Sequence, residues 1–81
     1  MITAEQIRSA RYALKLSVVE LSESSAVSTA TIKRIEASKG IPKSTKANLE
    51  ALKKSLEKAG IEFVGTPEDG PGIRIHSKPK T

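Results

Sequence analysis

Leu16-Ser17-Val18-Val19-Glu20-Leu21-Ser22-Glu23-Ser24-Ser25-Ala26-Val27-Ser28-Thr29-Ala30-Thr31-Ile32-Lys33-Arg34-Ile35-Glu36 is the stretch whose reading decides the fold. It holds two helix starts in close succession. Ser17 followed by Glu20 has the form of a capping box. The serine oxygen accepts from the N3 amide, and the glutamate reaches back to the amide of the cap. Leu16 and Leu21 flank that cap as a hydrophobic staple. Ser28 caps the next helix, with Val27 and Ile32 as its staple, and Ile35 continues the apolar face. Only Ser24, Ser25, Ala26 and Val27 lie between the two helices. Short helices joined by so tight a turn cross steeply, which predicts a helix-turn-helix.

The same grammar extends outward. Thr3-Ala4-Glu5-Gln6 is a third capping box, stapled by Ile2 and Ile7, and Ile7, Ala10 and Leu14 follow at helical spacing. Downstream, Lys39-Gly40-Ile41-Pro42 breaks the chain. A fourth helix from Thr45 to Ala59 carries a stripe of Leu49, Leu52 and Leu56, with Gly60 as its left-handed cap. Beyond it, Ile61-Glu62-Phe63 and Ile73-Arg74-Ile75 alternate like strands, and 65–72 between them reads as turn chemistry. The expected class is mainly α. A four-helix, helix-turn-helix domain spans 1–60, and a short C-terminal β-hairpin or separate β-strands span 61–81 as an extended tail with a disordered end.

Composition bounds the chemistry. The 81 residues allow one domain. Without cysteine there are no disulfides or thiolate metal sites, and the lone His76 cannot make a histidine cluster. No acid, base and nucleophile stand in a catalytic arrangement, so no enzyme is expected, and no cofactor or metal. The net charge of +5 and pI near 9.8 suit a polyanionic partner. One Tyr and one Phe are too few for a base-stacking platform on single strands. No apolar run approaches the ~20 residues of a membrane span, and a cytoplasmic protein is the expectation.

The run from Leu16 to Glu23, followed by Val27 to Glu36, resembles the Xre/Cro-type helix-turn-helix of phage repressors and bacterial regulators. The similarity covers about residues 3–59, and its most specific piece is Val-Ser-x-x-Thr-Ile-x-Arg-Ile-Glu at Val27–Glu36. It implies a repressor-like domain whose third helix lies in the major groove of double-stranded DNA, at an operator. On that resemblance Ser28, Thr29, Ala30, Thr31, Lys33 and Arg34 face the DNA, and Lys39 and Lys43 lie along phosphates. Arg34 has the donors for a bidentate pair to guanine. Arg11 and Glu36 match a structural ion pair of the family. A carboxylate at a helix C-terminus opposes the macrodipole, so Glu36 wants such a partner.

The chain departs from the family pattern at four places. Val18 stands where a polar, phosphate-contacting residue is usual. Lys15 and Ala26 replace glycines, and the family's fifth helix is replaced by the tail. Three functions follow as expectations. One is a sequence-specific DNA-binding transcriptional regulator acting as a homodimer. Another is a protein-binding module, an antiactivator that occupies another regulatory protein through Val18 and Val19. The third is an antitoxin. The homodimer is expected to form through the tail, with Ile61, Phe63, Ile73 and Ile75 pairing across two chains to cover open strand edges.

Overall fold

The computed structural model describes residues 2–76. Helices α1 (Ala4–Ala13), α2 (Val18–Ser25), α3 (Thr29–Glu36) and α4 (Lys46–Lys58) are followed by strands β1 (Ile61–Thr66) and β2 (Asp69–Ile75). The two strands form an antiparallel hairpin. No described helix is long and apolar enough to cross a membrane.

Each helix begins where its local chemistry satisfies the orphan amides of the first turn. Thr3 and Gln6 exchange both bonds of a capping box, at 3.1 and 2.8 Å, as do Ser17 and Glu20 at 3.0 and 2.9 Å. Ser28 and Thr45 cap α3 and α4 by accepting from the amides of Thr31 and Asn48. The staple residues meet in one core. Ile2, Ile7, Leu21, Val27 and Ile32 are buried there with Ile35 and the α4 leucines Leu49, Leu52 and Leu56, and Leu16 packs against them half-buried. The inter-helix turn is two residues shorter than expected. Ser24 and Ser25 end α2, leaving Ala26, Val27 and Ser28 as the connection. Ser25 is buried; its hydroxyl donates to the Leu21 carbonyl and accepts from the Val27 amide.

The hairpin is not a free tail. Its strands are longer than the alternating triplets suggest, running to a two-residue turn at Pro67-Glu68. Gly65 is irreplaceable at the bulge, since a Cβ there would lie 2.2 Å from the Gly70 carbonyl oxygen. Ile61 is 0% exposed and belongs to the same core as the helices. Fully burying such a side chain contributes about 1.5–3 kcal/mol. The amide of Gln6, itself buried in α1, donates to the carbonyls of Val64 (3.1 Å) and Gly72 (2.8 Å) on the two strands. Residues 61–76 therefore complete the core of 2–60. The expected disordered end, 77–81, lies outside the described residues.

Two L-residues occupy the left-handed region, Lys15 (φ 57°) and Ala26 (φ 63°). They are the positions where the resembled pattern has glycine. Lys15 sits in a two-bond C-cap after α1. Its amide donates to the Tyr12 carbonyl (3.0 Å), and the Leu16 amide donates to the Arg11 carbonyl (3.0 Å). Holding a Cβ there costs about 1–2 kcal/mol, of which glycine's larger unfolded entropy would cancel about half. Lys15→Gly and Ala26→Gly should therefore each stabilise the fold by about 0.5–1 kcal/mol, raising the melting temperature by roughly 2–8 °C. Thermal melts by circular dichroism test this; an unchanged or lower midpoint for both would show that neither residue is strained.

Candidate functional site

Helix α3 is amphipathic, and its buried face is small. Ile32, Ile35 and Glu36 point inward, while Ala30, Lys33 and Arg34 are exposed and Thr29 and Thr31 are half-buried. The outward residues fall one turn apart, which gathers Thr29, Ala30, Lys33 and Arg34 on one face. Ser28 and Thr31 are engaged with each other. The Ser28 hydroxyl donates to Thr31 Oγ1 (2.8 Å) and accepts from the Thr31 amide (3.2 Å). Their hydroxyls hold the helix start, and their capacity for other partners is reduced accordingly.

The opposite end of α3 is held by arginines from consecutive turns of α1. Arg11 grips the Glu36 carboxylate through Nε and Nη2, both at 2.8 Å, with side-chain exposures of 11% and 9%. A third Arg11 bond runs from Nη1 to the Leu16 carbonyl (3.0 Å). Arg8 donates to the main-chain carbonyl of Glu36. The hydrogen bonds that Arg11 donates to Glu36 chiefly raise the Arg11 pKa against the opposing effect of burial. The expected ion pair is thus present, bidentate and nearly dry. Arg11 also stacks its guanidinium 4.6 Å above the Tyr12 ring.

After α3 the chain crosses back as a strap. Lys39, Ile41 and Lys43 are exposed, Gly40 is half-buried and Pro42 is buried. The Ala4 amide donates to the Gly40 carbonyl (2.8 Å), and the Gly40 amide donates to Glu5 Oε1 (3.1 Å). Bonds from its own backbone amide and from Gly40 lower the Glu5 pKa. Sequence reading did not single out Glu5 or Gly40 in this role. Their contact spans 35 residues and leaves no local pattern.

Lys33, Arg34, Lys39 and Lys43 enter none of the ion pairs among the described residues, which involve Arg11–Glu36, Lys46–Glu50 and Glu62 with Arg74 and His76. On α2 the two adjacent valines differ. Val18 packs half-buried against the core, and Val19 is 58% exposed. Of the two, Val19 offers the larger open surface, and Tyr12 on α1 is 63% exposed. The four hairpin residues expected at a dimer interface also divide. Ile61 is committed to the chain's own core, Phe63 and Ile73 pack against that core, and Ile75 is 58% exposed. No group of acidic or histidine residues among the described residues could hold a metal ion.

Neither the models of protein families nor the curated proteins include a match to this chain.

Removing one partner of a buried ion pair leaves the other charge stranded, at about 3–5 kcal/mol. Glu36→Ala should therefore lower the melting temperature far more than Glu57→Ala on α4, a half-buried glutamate outside the ion pairs above. Arg11→Met combined with Glu36→Leu should recover most of the loss. Equal midpoints for the two glutamate variants in a thermal melt would show that the pair contributes nothing net.

Proposed function

We propose that this chain is a sequence-specific double-stranded-DNA-binding transcriptional regulator of the Xre/Cro type, reading the major groove with α3 as a homodimer. The observation that carries the reading is the run of unpaired cations on α3 and the strap after it. Lys33, Arg34, Lys39 and Lys43 are exposed and free of internal acids, in a chain of net charge +5. Cations that make no contact within the fold are available to phosphates and base edges. The α3 backbone is braced at its far end by Arg8 and Arg11, so its exposed face is presented rigidly. On the resemblance, that face meets bases and phosphates, with Arg34 toward a base and Lys33 toward a phosphate, and the lysines of the following strap lie along phosphates.

One observation favours a second reading, a protein-binding module such as an antiactivator or antitoxin on the same scaffold. Val19 and Tyr12 expose large apolar surfaces, and the neighbouring Val18 stands where the resembled pattern has a phosphate-contacting residue. An apolar start to α2 offers DNA nothing and offers a protein partner burial.

Dimer formation rests on the hairpin in a narrower way than its sequence suggests. With Ile61 inside the core, deleting the tail would open that core as well as remove any interface, so truncation does not test the interface alone. Ile75→Glu leaves the core untouched. If β2 pairs with its counterpart, this substitution should turn a sedimenting dimer into a folded monomer with the parent's circular-dichroism spectrum, its melting temperature lowered only by the lost association; a variant that sediments like the parent removes Ile75 from the interface.

Base reading is tested by titrating the protein against the DNA upstream of its own gene with excess competitor. Arg34→Ala should cost about 1–3 kcal/mol and relax the preference at one base pair. Lys39→Ala should weaken all sequences alike and reduce the salt slope by about 1. Equal operator binding by the Arg34 variant and the parent would exclude Arg34 from base contact.

A further inference from the structure

The strap after α3 has its own anchoring, separate from the core of α3. Along 39–43 the chain alternates, with Lys39, Ile41 and Lys43 outward and Gly40 and Pro42 inward. Pro42 is held by burial. Gly40 is held from both sides by the first turn of α1: its carbonyl accepts from the Ala4 amide (2.8 Å) and its amide donates to both Glu5 carboxylate oxygens (3.1 and 3.4 Å). The left-handed φ of 68° at Gly40 turns both peptide groups toward α1, and nothing lies within 4 Å of where a Cβ would stand. Steric crowding therefore does not hold Gly40 in place; the hydrogen bonds do. The two anchors set the spacing and direction of Lys39 and Lys43.

We infer that Glu5 is a positioning residue for DNA-backbone binding. By clamping Gly40 it presets Lys39 and Lys43 to bridge phosphates, with Ile41 between them against the sugar. This rests on the DNA-binding reading above and adds a residue whose charge alone argues the other way. An exposed carboxylate next to phosphate-binding lysines repels DNA, so by Coulomb's law its removal should tighten binding. A clamp predicts the opposite sign, because a loosened strap must be ordered again on binding.

The test uses the full chain and a mixed-sequence DNA duplex, since phosphates and not bases carry the effect, with affinity measured across a salt series. Glu5→Ala should weaken binding roughly tenfold at about 0.1 M salt and lower the salt slope by about 1, the signature of one lost phosphate contact. Lys39→Ala added to it should cost little more, because the contact is already gone. Glu5→Gln, which keeps an acceptor for the Gly40 amide, should retain most of the affinity. Faster hydrogen exchange at the Gly40 amide in Glu5→Ala, with the circular-dichroism spectrum and the exchange of the α3 and α4 amides unchanged, would tie the loss to the strap. Binding by Glu5→Ala as tight as or tighter than the parent, or an undiminished effect of Lys39→Ala in its presence, overturns the clamp while leaving the DNA reading standing. Failure of the parent protein to bind the duplex at low salt overturns both, and is seen before any variant is made.

Discussion

The bidentate contact between Arg11 and Glu36 is the constraint on which the orientation of α3 depends. Only two large apolar side chains of α3, Ile32 and Ile35, reach the core. Two such contacts on an eight-residue helix fix its depth better than its rotation. The carboxylate adds a third point at the helix end, and its planar match to guanidinium fixes direction as well as distance. Glu36 is poorly placed on its own account, at the negative end of the helix dipole and largely shielded from water. Both arguments make Arg11 obligatory. Arg8, taking the main-chain carbonyl of the same residue, satisfies one of the acceptors that a helix end leaves open. One residue is thus held by both side chain and backbone.

Most of the helical scaffold is legible in the sequence because its determinants are local. Caps act over three residues and staples over five, so Thr3, Ser17, Ser28 and Thr45 mark the helix starts within the order of the chain. The strands are legible too, but not their pairing partner: alternation leaves a hairpin and pairing across two chains equally open, and β1 pairs with β2 of its own chain. What escapes a linear reading is distance. Alternation shows that Ile61, Phe63, Ile73 and Ile75 share a face, but the identity of the surface that covers them depends on α1 and α4, folded elsewhere. Val18 and Val19 are chemically identical and adjacent, and only the rotation of α2 against the core decides that one packs and the other is bare. Gln6 reads as a capping residue, and it is one; its second engagement, with the hairpin carbonyls, has no counterpart in nearby sequence.

The polar interactions divide between those that hold helices together and those left open to solvent. Arg8, Arg11, Gln6 and Glu5 all lie on α1 and together reach three later segments: the two arginines reach α3, Gln6 the hairpin and Glu5 the strap. Helix α1 is therefore the hub of the polar network, as α4 with its leucines is of the apolar one. The cations of α3 and the strap take no part in either network. Glu5, Glu20, Glu36, Glu50 and Glu62 are each engaged with other groups.

The bond from Gln6 to the Gly72 carbonyl joins positions 66 residues apart. Synthesis on the ribosome is directional, at about 5–20 residues per second, so residue 6 is made roughly 3–13 s before its partner. During that interval α1 has its cap but lacks Ile61, the strands and the second engagement of its own glutamine. The early helices can form turns and collapse, yet the core they share stays open on the side the hairpin will close. Folding of this small protein is in consequence gated by the last part of the described chain to be made, and a chain interrupted before β2 would display an unfinished apolar surface to the proteases and chaperones that survey nascent products.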